Sequence, residues 1–173
     1  MTHLMEQKPQ DLIIRQATTA DAPAIWEILE PVIRAGETYA LPRDMSPEQA
    51  IAYWTNPDRE TFVVEAEGRI LGTYYLRPNQ LGGGSHVANC GYVTSIDARG
   101  RGIARRMRLH SLELARSKGF KAMQFNFVVS TNEGAVRLWK CLGFEIVGVL
   151  PAAFAHPEKG DVDALVMFQR LSG

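Results

Sequence analysis

The chain has 173 residues, is 46% hydrophobic and 22% charged, and balances 19 Lys and Arg against 19 Asp and Glu for a formal net charge of zero. That length suits one domain with a real core, and the charge balance argues against a global electrostatic grip on nucleic acid, which favours strongly basic domains. Two cysteines, Cys90 and Cys141, with no CxxC pair, make no disulfide framework and are expected to be reduced, in a cytoplasmic protein.

Met1 to Gln10 holds Glu6, Lys8 and Pro9 and no apolar run, so no signal peptide is expected there. No stretch approaches the ~18 apolar residues of a membrane helix. Leu12 to Ala17 reads as a first strand. Thr19 is a candidate N-cap for a helix in which Ala22, Ile25, Trp26, Leu29, Val32 and Ile33 recur at helical spacing, and Gly36 ends it. Glu37 to Asp44 reads as a loop; Ser46 then caps a second helix, with Pro47 at its first position and Ala50, Ile51 and Trp54 on one face. Phe62 to Ala66 and Ile70 to Leu76 are strand-like, joined by the hairpin signal Glu67-Gly68. After the Gly82-Gly83-Gly84-Ser85 turn, a third strand of this group runs from about Val87 to Ile96. A loop and helix follow from Arg99 to Ser117, stopped by Lys118-Gly119. Ala122 to Val129 is a strand, Glu133 to Leu142 a helix, and Glu145 to Leu150 and Ala164 to Leu171 are strands. The order βα(α)βββαβαββ predicts a mixed sheet with helices on both faces.

The segment Ile96-Asp97-Ala98-Arg99-Gly100-Arg101-Gly102-Ile103-Ala104-Arg105-Arg106-Met107 carries a strand through a glycine-rich turn into an amphipathic helix, with Ile103, Met107, His110 and Leu114 as its buried stripe. Such a turn aims several backbone N–H groups at one point, and the helix N-terminus adds partial positive charge, so the two make an anion site. Gly100 and Gly102 let phosphate oxygens reach the main chain. Arg99 and Arg101 can add charge-assisted hydrogen bonds. Two plainer readings stand beside this one: a surface turn, or a nucleic-acid patch over Arg99 to Arg108. A dinucleotide fingerprint is not met, because no GxGxxG is present, and no Gly-Lys-Ser/Thr follows to make a nucleotide phosphate loop.

These residues resemble the GNAT superfamily of acetyl-CoA-dependent N-acetyltransferases. The family's pyrophosphate motif, Arg/Gln-x-x-Gly-x-Gly/Ala, is matched in full by Arg99-Gly100-Arg101-Gly102-Ile103-Ala104. A second motif, an Asn followed by an amphipathic helix and then Gly-Phe, is matched from Asn132 to Gly143-Phe144, one strand further on. The resemblance covers Leu12 to Leu171 and implies a single N-acetyltransferase domain over residues 12–171 behind a tail of residues 1–11. The fold it implies is α/β (α+β): a mixed, mostly antiparallel central sheet with helices on both faces. In it, two neighbouring parallel strands ending near Ile96 and Val129 splay into a V-shaped slot. The amides of pantetheine would pair with the strand edges there as a pseudo-strand. Acetyl-CoA would be held by Thr94, Ile96, Arg99, Gly100, Arg101, Gly102, Ile103, Ala104 and Asn132. Gly91 reads either as the bulge that opens the slot or as a point of close packing.

In many members of the family a tyrosine in the helix after the Asn protonates the departing thiolate, and Trp139 stands at that position here. An indole N–H donates but is not a useful acid; Ala135, Leu138, Trp139 and Leu142 instead form one core-facing stripe. The chain is more similar to a narrower group, the acetyltransferases of proline analogues such as L-azetidine-2-carboxylate. The matching residues are Asn89-Cys90-Gly91-Tyr92, Phe125-Asn126-Phe127-Val128, Asn132 and Val162-Asp163-Ala164. That resemblance implies that Asn89 bonds the substrate carboxylate or ring, and that the backbone amides of Asn126 and Phe127 complete a carboxylate cradle. It places the Tyr92 amide opposite the thioester carbonyl and the Asn132 side chain near the CoA sulfur, where a hydrogen bond takes the place of a full acid. Strand asparagines also have a plainer reading as internally hydrogen-bonded residues, and Asn132 as a helix N-cap.

The attacking amine must be neutral, and His86, Glu37, Asp97 or a water chain could take its proton. His3 falls in the tail, His110 in the helix stripe and His156 before Pro157 in a turn; four scattered histidines without an HxxxH pattern predict no metal site. Thr38, Tyr39 and Trp26 are expected to shape the acceptor pocket. The expected reaction moves an acetyl group from acetyl-CoA to the amine of a small molecule, such as a proline analogue or other amino acid, by direct attack in a ternary complex. No nucleic-acid or membrane partner is expected, and a homodimer is expected only by analogy. The alternatives are a phosphinothricin-like or antibiotic amine, a protein N-terminus or lysine as acceptor, and an acyl-CoA sensor without turnover.

Overall fold

The computed structural model describes residues 11–171, so the expected tail of residues 1–11, with His3, lies almost wholly outside the described residues. The strands are β1 (Ile13–Gln16), β2 (Glu60–Ala66), β3 (Arg69–Pro78), β4 (Val87–Thr94), β5 (Ala122–Val129), β6 (Glu145–His156) and β7 (Gly160–Arg170). The helices are α1 (Ala22–Ala35), α2 (Pro47–Trp54), α3 (Ile103–Ser117) and α4 (Glu133–Cys141). All seven strands form one sheet in the order β1-β2-β3-β4-β5-β7-β6, the mixed sheet that the sequence order predicts.

Several element ends follow from local chemistry. Gly36 ends α1 in the left-handed conformation, φ 65°, as the sequence suggests. Ser46 and Gln49 cap α2 reciprocally: Ser46 Oγ accepts from the Gln49 amide at 3.1 Å, and Gln49 Oε1 from the Ser46 amide at 2.9 Å. The first helix departs from expectation. Thr18, not Thr19, flanks a short 3-10 turn, because the Asp21 carboxylate reaches back to the Thr18 amide at 2.7 Å, and the α-helix proper begins at Ala22.

Alternation along the strands sends side chains to two cores. Val63, Tyr75 and Val93 point towards α1 and α2, where Ile25 and Trp54 are buried. Phe62, Tyr74 and Phe125 point towards α3 and α4, where Met107 and Trp139 are buried. The expected stripe of α3 is met at Ile103 and Met107, whereas His110 and Leu114 are only half-buried. His110 Nδ1 lies 2.6 Å from Tyr74 Oη.

Strand lengths differ from expectation at three places. β4 stops at Thr94, and Ile96–Ala98 forms a 3-10 turn. β6 and β7 run several residues longer than the expected Glu145–Leu150 and Ala164–Leu171. β6 is an edge strand exposed on both faces, so it carries no alternation to read, and Pro151 sits in a register break between Leu150 and Phe154 where no ladder bond is required. His156 therefore ends β6 and is buried, with Nδ1 accepting from the Glu158 and Lys159 amides at 3.1 and 3.2 Å.

The feature that makes a site is the parting of β4 from β5. Their parallel pairing lasts only two positions, Val87 with Ala122 and Ala88 with Met123. Gly91 is not the bulge that opens it: β4 stays in regular register with β3 there, opposite Tyr75. The glycine is needed for close approach, since a Cβ at residue 91 would lie 2.6 Å from Cε1 of the Tyr75 ring. The irregularity lies on β5, whose pairing with β7 breaks between Phe125 and Val128 and so takes Asn126 and Phe127 out of register. A bulge of this kind bends its strand and re-aims its side chains.

Candidate active site

Beyond Ala88 and Met123 the diverging strands open onto a cavity of about 650 Å³, lined by β4, β5, α3, α4 and the loop after α1. Its size is that of an ordinary small-molecule site.

At one end stands the glycine-rich turn. Gly100 and Gly102 have φ of 77° and 73°, and nothing lies within 4 Å of where a Cβ would project from either. Gly102 is the N-cap of α3 and offers no side-chain acceptor, so the first-turn amides of the helix are uncapped. Arg99 lines the cavity, while Arg101 is exposed beside it. Ile103 is 1% exposed, so only its backbone is available to a ligand. Free amides, two arginines and open space fit a diphosphate. Thr94 lines the cavity, whereas Ile96 is exposed on the 3-10 turn and is not part of the lining.

Asn89 is buried at the fork. Its Nδ2 donates to the Gln124 carbonyl of β5 at 2.9 Å, one position beyond the last backbone pair, and its Oδ1 accepts from Arg77 Nε at 3.4 Å. The amide thus braces the strands where they part. It keeps one N–H and one lone pair for a ligand. Asn126 is bonded as well, donating to Asn79 Oδ1 at 2.6 Å and accepting from Gln124 Nε2 at 2.9 Å. Asn126 and Phe127 both line the cavity.

The Tyr92 amide faces the slot, where Tyr39 meets it. Tyr39 Oη accepts from the Tyr92 N–H at 2.8 Å and donates to the Tyr92 carbonyl at 2.9 Å. The Tyr92 side chain turns the other way, into the core, with its hydroxyl 2.6 Å from Ser111 Oγ. Thr38 and Tyr39 line the cavity; Trp26 does not, and packs under Arg34 with 5.4 Å from guanidinium carbon to ring. Asn132 begins α4 without a side-chain cap bond, so its carboxamide is not spent as an N-cap, and it lines both this cavity and a smaller one of about 310 Å³. Trp139 is 4% exposed, with ring centroids 4.1 Å from Phe125 and 4.9 Å from Phe144, as a core-facing stripe requires.

Among the described residues no Asp, Glu or His lines the main cavity. His86 is exposed and Asp97 pairs loosely with Arg69 at 3.7 Å; Glu37 lines only the smaller cavity, together with His156. Cys90 does line the main cavity, but burial pushes its thiol up to about 12, so it is not a thiolate nucleophile at neutral pH. Among the described residues no group of three His, Cys, Asp or Glu side chains could hold a metal ion, and no helix is long and apolar enough to cross a membrane.

Two contributors were not singled out from sequence. Arg77, on β3, lines the cavity and holds both Asn89 and Asp58. Arg108 lines it from α3. The available signal for Arg108 was its place four residues after Ala104, on the helix flank beside the Ile103–Met107 stripe.

A slot between parting parallel strands, with a glycine-rich turn and the uncapped start of a helix at its mouth, is the architecture of an acyltransferase. The family is shown by comparison: the chain belongs to the acetyltransferase (GNAT) family, whose profile matches residues 23–144, and it is an acetyl-CoA-dependent N-acetyltransferase. It is 35% identical over 111 residues to N-acetyltransferase aca1 of Schizosaccharomyces pombe, a match covering 64% of this chain and about half, 53%, of that protein. It is similar in structure to a GCN5-related N-acetyltransferase from Kribbella flavida, with TM-score 0.89, 40% identity, and 94% and 99% of the two chains covered. A phosphinothricin acetyltransferase from Sinorhizobium meliloti, solved with acetyl-CoA, shares the fold at TM-score 0.81 and 20% identity over 93% and 89% of the chains.

Proposed function

We propose that residues 12–171 form one N-acetyltransferase domain that acetylates the amine of a small, carboxylate-bearing molecule, a proline analogue or another amino acid, by direct attack in a ternary complex. One observation supports this above the others: Arg77 and Asn89 meet at 3.4 Å in the wall of a cavity that no acidic residue lines. Carboxylates are recognised by such guanidinium and amide donors. Asp58 lies 3.3 Å from Arg77 Nη1 and neutralises part of its charge, yet the guanidinium retains further N–H donors. The register break at Asn126 and Phe127 supports a role for their amides in the same cradle.

For the donor, the uncapped start of α3 with Gly100, Gly102, Arg99 and Arg101 would take the diphosphate, and Thr94 lies along the strand edge available to pantetheine. The S. meliloti protein of the same fold is solved with acetyl-CoA, which supports the same ligand here. The Tyr92 N–H is placed to meet a thioester carbonyl once Tyr39 yields it, and the uncommitted Asn132 carboxamide can bond the sulfur. With no carboxylate or imidazole in the cavity, the amine's proton leaves through water.

The test is thiol release from acetyl-CoA across a panel of amines that includes proline analogues, for wild type, Asn89→Ala and Asn132→Ala. Asn89→Ala raises the acceptor KM about tenfold or more, and Asn132→Ala lowers kcat with little change in KM. Preference for a peptide amine, or release of no thiol with any amine despite tight acetyl-CoA binding, would replace this reading by a protein acceptor or an acyl-CoA sensor respectively.

A further inference from the structure

Among the described residues, Arg108 is a cation without a counter-charge. It leaves α3 between Ala104 and Ser111 and lies half-buried, lining the same cavity as Asn132, Tyr92 and Trp139. Its guanidinium carbon stands 4.6 Å from the centre of the Trp139 indole and 5.9 Å from that of the Tyr92 ring. Its Nε is buried without a hydrogen-bond partner, and among the described residues no carboxylate pairs with it. The titratable groups that act on it are Tyr92 on β4 and Tyr39 from the loop after α1, both held neutral by burial. Burial lowers the guanidinium from its ordinary value, yet an arginine stays charged in this setting.

A charge partly withdrawn from water and left unpaired is costly to the folded protein. Stacking on two aromatic faces recovers part of that cost. An anion entering the cavity would recover the rest. The reaction proposed above generates one: as the amine nitrogen bonds to the thioester carbon, the C–S bond breaks, its electron pair stays on sulfur as thiolate, and the amine's proton passes to water. The residue standing where the family places its thiol-protonating tyrosine is Trp139, which cannot supply that proton, and Arg108 lies across its indole face.

We propose that Arg108 is a catalytic residue that stabilises the departing CoA thiolate as an ion pair, so that sulfur leaves without being protonated. This rests on the acetyltransferase reading of the same cavity. The arginine keeps its proton throughout; its contribution is charge, fixed in place before the sulfur becomes negative.

The experiment measures the thiol pKa of bound CoA from its ultraviolet thiolate absorbance, with wild type, Arg108→Met and Arg108→Lys, alongside calorimetry with acetyl-CoA and steady-state kinetics. Wild type should bind CoA with its thiol pKa at least about one unit below that of free CoA titrated in the same buffer. Arg108→Met should bind acetyl-CoA within about twofold of wild type, lose about 100-fold in kcat with acceptor KM unchanged, and return the bound thiol to its ordinary value. Arg108→Lys should keep part of both, and added guanidinium ion should restore part of the rate to Arg108→Met. An undisplaced thiol pKa in wild type overturns the proposal even if no variant folds, as does a defect confined to acceptor KM. If acetyl-CoA binds, the thiol pKa is lowered and no amine is acetylated, the acetyltransferase reading fails while the ion pair stands. If CoA does not bind, both fall.

Discussion

Gly91→Ala tests the geometry on which the slot rests. The residue sits in regular register opposite Tyr75, and its φ is not in the left-handed region, so the alanine backbone is unstrained and the only new cost is steric. That cost is local and large: the added methyl would lie 2.6, 2.8 and 2.9 Å from Cε1, Cζ and Oη of Tyr75. The ring cannot swing clear, because it is 4% exposed, packed edge-on against Trp54 at 4.9 Å and covered by the Arg59 guanidinium at 4.4 Å. Overpacking of this kind costs about 1–3 kcal/mol, and at about 2–4 °C per kcal/mol for a chain of this size the melting temperature should fall by about 2–12 °C. Calorimetry on wild type, Gly91→Ala, Tyr75→Leu and the double variant closes the cycle: the alanine should cost little or nothing once the ring is gone. A neutral Gly91→Ala, or a penalty that persists unchanged beside Tyr75→Leu, would refute close packing as the reason for the glycine.

Two further outcomes follow from the hydrogen bonds. Asp21 accepts from Arg15 Nη1 and Nη2 at 2.8 and 2.9 Å, and these bonds, with the Thr18 amide, hold its carboxyl down at about 2 against an ordinary 3.8. Because the folded value is the lower one, the carboxylate contributes about 1–2 kcal/mol above pH ~4, and that contribution is lost as pH falls to ~2; urea unfolding should show a gap between wild type and Asp21→Asn that closes over this window, and a gap independent of pH would contradict it. Tyr39→Phe removes the hydroxyl that occupies the Tyr92 N–H and C=O, so calorimetry should show acetyl-CoA binding about fivefold tighter, for about 1 kcal/mol of competing hydrogen bond; unchanged or weaker binding would mean the hydroxyl does not stand where the thioester carbonyl docks.

What could be read from sequence was whatever a local rule dictates. Gly36 and Gly119 stop helices, Ser46 with Pro47 starts one, and Glu67-Gly68 turns a hairpin with both residues at positive φ. Each is a backbone requirement met by a few adjacent residues. The turn from Arg99 to Ala104 belongs to the same class: two glycines at positive φ followed by a helix start are a local feature of a few adjacent residues. The break at Asn126 and Phe127 was hidden because neither residue is a glycine or proline, and a bulge is a relation between β5 and β7 rather than a property of either strand. Arg108 was hidden for a related reason: on a helix with Arg101, Arg105 and Arg106 nearby, only the tertiary partner distinguishes the arginine that lies on Trp139 from those that face water.

The same physics explains why the slot exists at all in an otherwise continuous sheet. Parting β4 from β5 strands backbone donors and acceptors that the fold must satisfy or leave for a ligand. At the fork, Asn89 satisfies one directly through the Gln124 carbonyl; three residues on, Tyr39 satisfies both groups of Tyr92 with a single hydroxyl. The first brace is short and buried, built to persist. The second comes from a loop, and one phenol that both accepts and donates can be exchanged for a carbonyl and an amide of a ligand at little net cost in hydrogen bonds. In the proposed reading, Tyr39 holds the Tyr92 groups until a thioester-bearing chain replaces it bond for bond, and the turn before α3, whose first-turn amides have no side-chain cap, would supply the affinity that drives the exchange.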